Sequence, residues 1–167
     1  MELRLAKATD AEAIRAIYNI EVAETTVTFD IVERSVEDQR AWMHEHEGVY
    51  PVIVGTEGTE ILGFASLSPY RSRPGYATTV EDSIYVARSC RGQGVGKALL
   101  KEILRLAGVH GFHVVMARIV SNHDASIALH EGCGFRLIGV EKEVGRKFGR
   151  WLDVSVMQYV IGADQRA

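Results

Sequence analysis

The sequence predicts one α+β (α/β) domain in which helices flank a single mixed sheet, in the element order βααβββαβαββ. The length of 167 residues is that of one ordinary domain. Fractions of 47% hydrophobic and 25% charged residues are typical of a soluble globular protein. Alternating or apolar runs, typical of strands, are interspersed with segments of helical spacing. We expect one domain over residues 1–162 and a short C-terminal tail over residues 163–167.

Four strands are predicted in the first half of the chain. Residues 3–6 alternate in polarity like a short strand. Residues 51–55 and 61–65 are apolar runs, and the segment Glu57–Glu60 between them is typical of a hairpin turn. Residues 78–86 alternate again and form the fourth candidate.

Two helices are predicted between the first and second strands. Thr9 and Glu12 have the spacing of a capping box, which places the start of the first helix at Thr9. The second helix is expected to start at Ser35, with Asp38 at its third position and Trp42 facing inward.

The second half of the chain alternates between helix and strand. Residues 94–109 carry an apolar face at helical spacing. Residues 114–120 form a nearly continuous apolar run, as expected of a strand covered on both faces. A short helix is predicted over residues 125–132, followed by strands over residues 135–143 and 152–161.

Composition argues against several classes of protein. The net charge is −3, so no basic field indicates a nucleic acid or an anionic membrane as partner. Cys90 and Cys133 lack metal-ligand spacing, and His44 and His46 cannot both face one ligand from a helix. No apolar stretch has the length of a membrane span. We therefore expect a cytoplasmic protein with no metal, no membrane contact and no nucleic-acid partner.

Arg91, Gly94 and Gly96 lie in a glycine-rich turn between a strand and a helix. Glycines let the backbone approach a ligand closely, and the first helical turn offers unpaired N–H groups. The turn is therefore a candidate phosphate or pyrophosphate site, although a glycine-rich turn can also serve strand-to-helix packing alone. The Walker A pattern fails because Lys97 is not followed by Ser or Thr. The dinucleotide fingerprint fails because Leu99 occupies its third glycine position.

The pattern Arg91-x-x-Gly94-x-Gly96 resembles the pyrophosphate motif of the GCN5-related N-acetyltransferases (GNAT superfamily), which is Arg/Gln-x-x-Gly-x-Gly/Ala. A downstream segment resembles the second cofactor segment of that superfamily, with Asn122, Ser126, Leu129 and Gly134-Phe135. The resemblance covers the whole chain in element order. It implies a GNAT-like mixed, mostly antiparallel central sheet flanked by helices, with acetyl-CoA as co-substrate.

Further segments resemble the phosphinothricin and methionine-sulfoximine N-acetyltransferases. They are Thr25–Phe29, Tyr70–Tyr76, Thr79–Val86, Leu129–Glu131 and Lys147–Asp153. The narrower resemblance implies that the acceptor is the α-amino group of a small amino-acid analogue. It also implies a homodimer.

Acetyl-CoA binding is assigned to the glycine-rich turn, to the end of the fourth strand, and to Asn122 and Ser126 of the downstream segment. Backbone N–H groups of the glycine-rich turn would hold the pyrophosphate, with charge added by its arginine and lysine. The resemblance implies that backbone at the end of the fourth strand pairs with the pantetheine arm and polarises the thioester carbonyl. The candidate cofactor-binding residues are Tyr85, Val86, Ala87, Arg91, Gly92, Gln93, Gly94, Val95, Gly96, Lys97, Asn122 and Ser126.

Glu81 is the candidate general base. Strand parity puts Thr79, Glu81 and Ser83 on one face of the fourth strand. The related enzymes use a glutamate at this position, one short strand upstream of the pyrophosphate turn. The alternative is a solvated carboxylate without a catalytic role. Asp82 competes for the role, but its face of the strand holds aliphatic neighbours.

His130 is the second candidate catalytic residue. Many members of the superfamily have a tyrosine at this position, which is interpreted as the acid that protonates the thiolate. A histidine with a pKa near 6.5 could donate to the thiolate or relay a proton from the amine. The alternative is a histidine that only fills space beside the cofactor.

The acceptor is assigned to residues before and within the fourth strand. Arg71 and Arg73 could bind the carboxylate and the phosphinate or sulfoximine oxygens of a small acceptor through paired donors. Phe29, Tyr76 and Thr79 complete the candidate substrate-binding set. Lys147 and Arg150, expected in a late loop, are weaker candidates.

The residues together predict transfer of an acetyl group from acetyl-CoA to a small amino-acid analogue in a ternary complex. Three other hypotheses stay open. The first is a non-catalytic acetyl-CoA sensor, against which Glu81 and His130 argue. The second is acetylation of a peptide, which needs an open groove. The third is acetylation of a polyamine or an aminoglycoside, which favours an acidic acceptor loop.

Overall fold

Seven strands and four α-helices make up residues 1–162, the part of the chain that the computed structural model describes. The helices are α1 (Ala11–Glu24), α2 (Val36–Glu45), α3 (Val95–Val109) and α4 (Asp124–Glu131). The strands are β1 (Glu2–Leu5), β2 (Val52–Glu57), β3 (Glu60–Pro69), β4 (Thr79–Val86), β5 (Val114–Val120), β6 (Arg136–Lys147) and β7 (Arg150–Val160). The predicted element order is confirmed. The predicted tail lies outside the described residues.

All seven strands belong to one sheet, in the order β1-β2-β3-β4-β5-β7-β6. Every neighbouring pair is antiparallel except β4 and β5, which are parallel. The predicted mixed, mostly antiparallel sheet is therefore confirmed. The parallel ladder is short: it joins Thr79–Glu81 to Val114–Met116 and ends there.

Helices cover both faces of this sheet. On one face, Leu99 and Ile103 of α3 pack with Val115 of β5 in a large buried cluster. On the other face, Tyr18 of α1 packs with Phe64 of β3 in a second cluster. Strand β4 contributes to both clusters because successive side chains of a strand point to opposite faces. Its residues are consequently placed to reach groups on either side.

The helix starts were predicted with mixed success. Helix α2 begins after Ser35, whose hydroxyl accepts from the Asp38 N–H at 3.0 Å, so that prediction is confirmed. The start of α1 at Thr9 was wrong, because a short 3₁₀ turn occupies Ala8–Asp10. There the Asp10 carboxylate accepts from the Lys7 N–H at 2.7 Å and from Arg4 at 2.6 Å.

The β6–β7 hairpin is longer than the sequence predicted. Lys147 and Arg150, expected in a loop, pair with each other as the last residues of the ladder around the tight turn at Phe148 and Gly149. Lys147 is buried, and its Nζ donates to the Thr28 carbonyl at 2.9 Å. This bond ties the hairpin to the loop between α1 and α2.

Among residues 1–162, no helix combines the length and the apolarity needed to cross a membrane. The cytoplasmic location expected from the sequence stays a prediction.

Candidate active site

The glycine-rich turn leads directly into α3. Gly94 precedes the first helical residue with a φ of +83°, a left-handed conformation that suits glycine. The first helical bond runs from the Ala98 N–H to the Gly94 carbonyl, so the N–H groups before Ala98 have no partner within the helix. A side chain at Gly96 would press against Leu129 of α4, with a Cβ only 3.3 Å from its Cδ2. The turn thus presents free N–H groups and packs tightly against α4.

A cavity of about 670 Å³ extends from this turn along β4. Its walls contain the majority of the residues assigned to the cofactor, together with His130. The predicted residues that line it are Tyr85, Val86, Arg91, Gly92, Gly94, Val95, Gly96, Lys97, Ser126 and His130. The structure therefore brings residues from β4, the turn and α4 to one cavity.

Three of the predicted cofactor residues lie outside this lining. The Ala87 N–H donates to the Leu62 carbonyl at 2.9 Å, so it is used within the sheet. The Gln93 side chain donates to the Ser89 carbonyl at 2.9 Å. Asn122 is exposed, two residues before α4.

The cavity opens where β4 and β5 separate. The last pair of the parallel ladder is Glu81 with Met116, and the β4 residues after Glu81 line the cavity. N–H and C=O directions alternate along a strand, and the Ala87 N–H points to β3. The N–H and C=O of Val86 therefore point toward the gap. They can bind an extended ligand as a neighbouring strand would.

Arg91, the first residue of the turn motif, is held by a buried carboxylate. Glu21 Oε1 accepts from Arg91 Nη2 at 2.7 Å and from Arg88 Nε at 3.1 Å. Arg88 also donates through Nη1 to Glu24 Oε2 at 2.6 Å. Glu21 also lines the cavity. Its ion pairs with Arg91 and Arg88 therefore neutralise part of the positive charge beside the turn. The turn is also tied to α1.

Glu81 is a half-buried carboxyl group directly before the stretch of β4 that lines the cavity. Burial raises its pKa to about 7; the cation Arg118 opposes that rise, while Asp82 and Glu141 add to it. A carboxyl group with this pKa exchanges its proton near neutral pH.

His130 is buried on the opposite face of the sheet from Glu81, with an oxygen beside each ring nitrogen. Nδ1 lies 2.7 Å from the Ser126 carbonyl oxygen, and Nε2 lies 3.0 Å from Oδ2 of the buried Asp82. A carbonyl oxygen only accepts, so Nδ1 carries a proton. Burial disfavours the charged ring, but the hydrogen bond and charge of Asp82 outweigh it and raise the pKa of His130. The Asp82 carboxylate therefore favours the protonated form of the His130 ring.

None of the residues predicted to bind the acceptor lines the cavity. Four of the five precede β4 or begin it: Arg71, Arg73, Tyr76 and Thr79. The Arg71 guanidinium lies 4.9 Å from the Tyr70 ring centre and 5.5 Å from that of Tyr76. Arg73 is exposed, and Thr79 is the first residue of β4. The loop that carries the arginines follows Pro69, whose partner in the sheet is Val80. The loop therefore begins beside the part of β4 that carries Glu81, whose own partner on β3 is Ser68.

Phe29 lies apart from that loop. Its ring packs on Gly145 of β6, where any Cβ would clash with it. Phe29 is nevertheless 39% exposed.

Sequence reasoning missed several charged or titratable groups of the site. Glu21, Arg118 and His123 line the cavity, as does Asp82, which had been weighed only as a competing base, and Glu141 pairs with Arg118. The ion pairs of Glu21, Asp82 and Arg118 join residues that are distant in sequence, so no local motif marks them.

Comparison with known proteins agrees with this geometry. The family model for the acetyltransferase (GNAT) domain matches residues 3–156. The chain belongs to the GNAT acetyltransferase family. It is 41% identical to the phosphinothricin N-acetyltransferase of Streptomyces coelicolor over 87% of this chain and 88% of that protein.

Two further relatives are similar to this GNAT protein. It is 39% identical to the L-methionine sulfoximine/L-methionine sulfone acetyltransferase of Pseudomonas paraeruginosa over 93% of this chain and 92% of that protein. The crystal structure of a GNAT superfamily phosphinothricin acetyltransferase from Sinorhizobium meliloti, in complex with acetyl-CoA, superposes with a TM-score of 0.91. That match has 37% identity and covers 95% of this chain and 87% of that one. The predicted family, fold and enzyme class, an N-acetyltransferase, are confirmed, and the predicted cofactor agrees with the ligand of that relative.

The buried pair in this GNAT domain leads to a testable expectation. Asp82→Asn removes the carboxylate that raises the pKa of His130, so the pKa should fall and the ring should be neutral at pH 7. A histidine whose pKa is higher in the folded than in the unfolded chain stabilises the fold fully at pH values below its unfolded-state pKa. Wild-type stability should therefore decrease as the pH rises through the folded-state pKa of His130. The variant should lose this dependence.

Long-range ¹H–¹⁵N NMR of the His130 ring measures the titration directly, and urea unfolding at several pH values measures the stability. Glu131→Gln removes an exposed carboxylate from the same helix and serves as the control. An identical His130 titration in Asp82→Asn and wild type would contradict the ion-pair description.

Proposed function

We propose that this chain transfers the acetyl group of acetyl-CoA to the α-amino group of a small amino-acid analogue by direct transfer in a ternary complex. The acceptors proposed are of the phosphinothricin, methionine sulfoximine or methionine sulfone type, as the names of the relatives suggest. The observation that carries the proposal is Glu81, with a pKa of about 7 at the edge of the cavity. Such a group is suited to accept the proton of an ammonium nucleophile near neutral pH.

The cofactor is proposed to lie in the cavity along β4. The free N–H groups before Ala98 would bind the pyrophosphate, and Arg91 and Lys97 would add positive charge. The Val86 backbone, which points into the gap between β4 and β5, would pair with the pantetheine arm. Gln93, Asn122 and Ser126 remain proposed contacts.

His130 is proposed as the acid that serves the departing thiolate. Both of its ring nitrogens face oxygen acceptors of the protein. Donation to the thiolate would therefore require one of these two hydrogen bonds to be exchanged for a bond to the sulfur, and a proton relay from the amine stays the alternative.

Direct transfer is proposed over a covalent route. Burial raises the pKa of the Cys133 thiol, which disfavours the nucleophilic thiolate. Cys90 lines the cavity but is itself buried.

Replacement of the base tests the mechanism. Glu81→Gln should lower turnover by roughly 10²–10⁴, the usual contribution of a general base, with little change in acetyl-CoA affinity. Because the base must be ionised, wild-type kcat/KM should fall as pH drops through about 7, and the variant should lose this limb.

Steady-state kinetics over pH and calorimetric titration of acetyl-CoA are the measurements. Glu60→Gln, which removes an exposed carboxylate from the β2–β3 hairpin and lies outside the cavity lining, is the control. Near-normal turnover of Glu81→Gln, or an acetylated enzyme trapped without acceptor, would reject the mechanism.

The acceptor class is tested by a turnover screen. It covers the twenty amino acids, methionine sulfone, methionine sulfoximine and phosphinothricin, with spermidine, an aminoglycoside and a basic peptide as competitors. Anion-bearing amino-acid analogues should be acetylated fastest. Arg71→Gln or Arg73→Gln should raise the KM of the acceptor much more than that of acetyl-CoA, because each removes a paired donor for its anionic groups.

Arg40→Gln, which removes an exposed guanidinium from α2, should leave both KM values unchanged. Faster acetylation of spermidine, the aminoglycoside or the peptide than of every amino-acid analogue would overturn the assignment.

A homodimer is proposed to form through the edge strand β6. This strand exposes the apolar side chains Leu137, Ile138, Val140 and Val144, each by 42–54%. Such patches mark interaction surfaces, and an edge strand offers unpaired backbone groups. Sedimentation equilibrium should give twice the mass of one chain. Val140→Lys should favour the monomer, whereas Val109→Lys, at the exposed end of α3, should not; a monomeric wild type would contradict the proposal.

A further inference from the structure

Arg118 is a cation on the same face of the sheet as Glu81. Glu81 pairs in register with Met116 of β5, so these two side chains point to the same face. Arg118 follows two residues later on β5 and therefore shares this face. Burial raises the pKa of Glu81, and Arg118 is near enough for its charge to oppose that rise. Arg118 is thus placed to form an ion pair with Glu81.

The Arg118 guanidinium is instead paired with Glu141 of β6. Its Nη1 donates to Glu141 Oε1 at 3.1 Å, and its Nη2 lies 2.6 Å from Oε2. The two side chains meet across β7, since Arg118 is in register with Val156 and Glu141 with Val154. The guanidinium is thereby directed away from β4.

The backbone of β6 changes register directly after Glu141. The next residue paired with β7 is Gly145, and Glu143 in between has a φ of +50°. Irregularities of this kind re-aim side chains and are common beside active sites. They provide a local reason for the orientation of Glu141 toward the sheet.

We propose that Glu141 is a positioning residue, which holds Arg118 by a two-point ion pair and thereby prevents Arg118 from pairing with Glu81. The inference rests on the proposed function, in which Glu81 is the base. A base that formed its own salt bridge with arginine would be too weak to take a proton from an ammonium at neutral pH.

The charges around Glu81 agree with this role. Arg118 acts to lower the pKa of Glu81, and Asp82 and Glu141 act to raise it. Asp82 points to the opposite face and is paired with His130. On the β3 side, Ser68 is in register with Glu81 and contacts the ring of His46, whose pKa is lowered by burial. His46 is therefore neutral near pH 7, and Arg118 is the cation that Glu141 must control.

Glu141→Gln is the decisive variant. It removes an anion near Glu81 and releases the Arg118 charge, and both effects lower the pKa of Glu81. The acid limb of kcat/KM should therefore move to lower pH, and relative activity at pH 6 should rise about 3-fold, as for a fall of half a pKa unit. The ¹³C NMR titration of the Glu81 carboxyl, identified by its absence in Glu81→Gln, should shift in the same direction.

Arg118→Gln should do the opposite, because it removes the cation and leaves Glu141 in place. Its acid limb should move to higher pH, so the two variants bracket the wild type. Glu143→Gln removes an exposed carboxylate from the same strand and should leave the limb unchanged. Sedimentation of each variant checks that assembly is unaltered.

The outcomes separate this inference from the proposed function. A shifted Glu81 carboxyl titration with an unmoved rate profile would reject Glu81 as the base and keep the role of Glu141. An unmoved titration in both Glu141→Gln and Arg118→Gln would overturn the inference. Equal shifts of the Glu81 titration in Glu141→Gln and Glu143→Gln would show that the effect comes from the net charge of the protein. That result would also overturn the inference.

Discussion

The early end of the parallel ladder between β4 and β5 is the constraint on which the rest of the site depends. Only three residue pairs join these strands, although β4 is paired with β3, and β5 with β7, over seven pairs each. Each strand is therefore held on its outer side, and the sheet tolerates a gap at its centre. Backbone polar groups that face this gap lack the partners that a continuous sheet would supply. These groups are therefore available to an extended ligand that pairs with β4 as a strand would.

Consecutive carboxylates at the end of this ladder acquire different chemistry from the two faces of the sheet. Glu81 points to the face of α1, where Arg118 is already neutralised by Glu141. Asp82 points to the face of α4, where His130 supplies a direct ion-pair partner. Burial raises the pKa of Glu81, and the cation nearest to it, Arg118, only opposes that rise. One step along a strand thus separates a group suited to proton transfer from a group suited to structure.

Sequence alone predicted what depends on local patterns. Alternation and helical spacing gave the element order, and the capping pair Ser35 and Asp38 gave the start of α2. The same logic failed at Thr9, because Asp10 satisfies the Lys7 N–H and Arg4 instead. A capping pattern shows which side chain could cap a helix. Which side chain does so also depends on partners elsewhere in the chain, such as Arg4 for Asp10.

The unpredicted parts of the site are all contacts between distant segments. Asp82 and His130 are 48 residues apart, and Arg118 and Glu141 are 23 apart. Asp82 was set aside because its neighbours on the strand are aliphatic, and that description of its face is correct. The sequence did not reveal the position of α4, which brings His130 to the same face as Asp82. Pairing of charges across a sheet depends on strand order and register, which no local pattern encodes.

The cofactor turn and the acceptor side are mechanically connected through the segment that follows α1. Glu21, near the C-terminal end of α1, holds Arg91 of the turn, and Thr25 and Val27 beyond the helix line the cavity. The next residue, Thr28, receives the buried Lys147 of the β6–β7 hairpin through its carbonyl. A displacement of the turn by a bound pyrophosphate would act on Glu21 and therefore on this short segment, which has hydrogen-bonded anchors at both ends. The same segment continues into Phe29, which is proposed to contact the acceptor, so the position of Phe29 depends on contacts made by the glycine-rich turn.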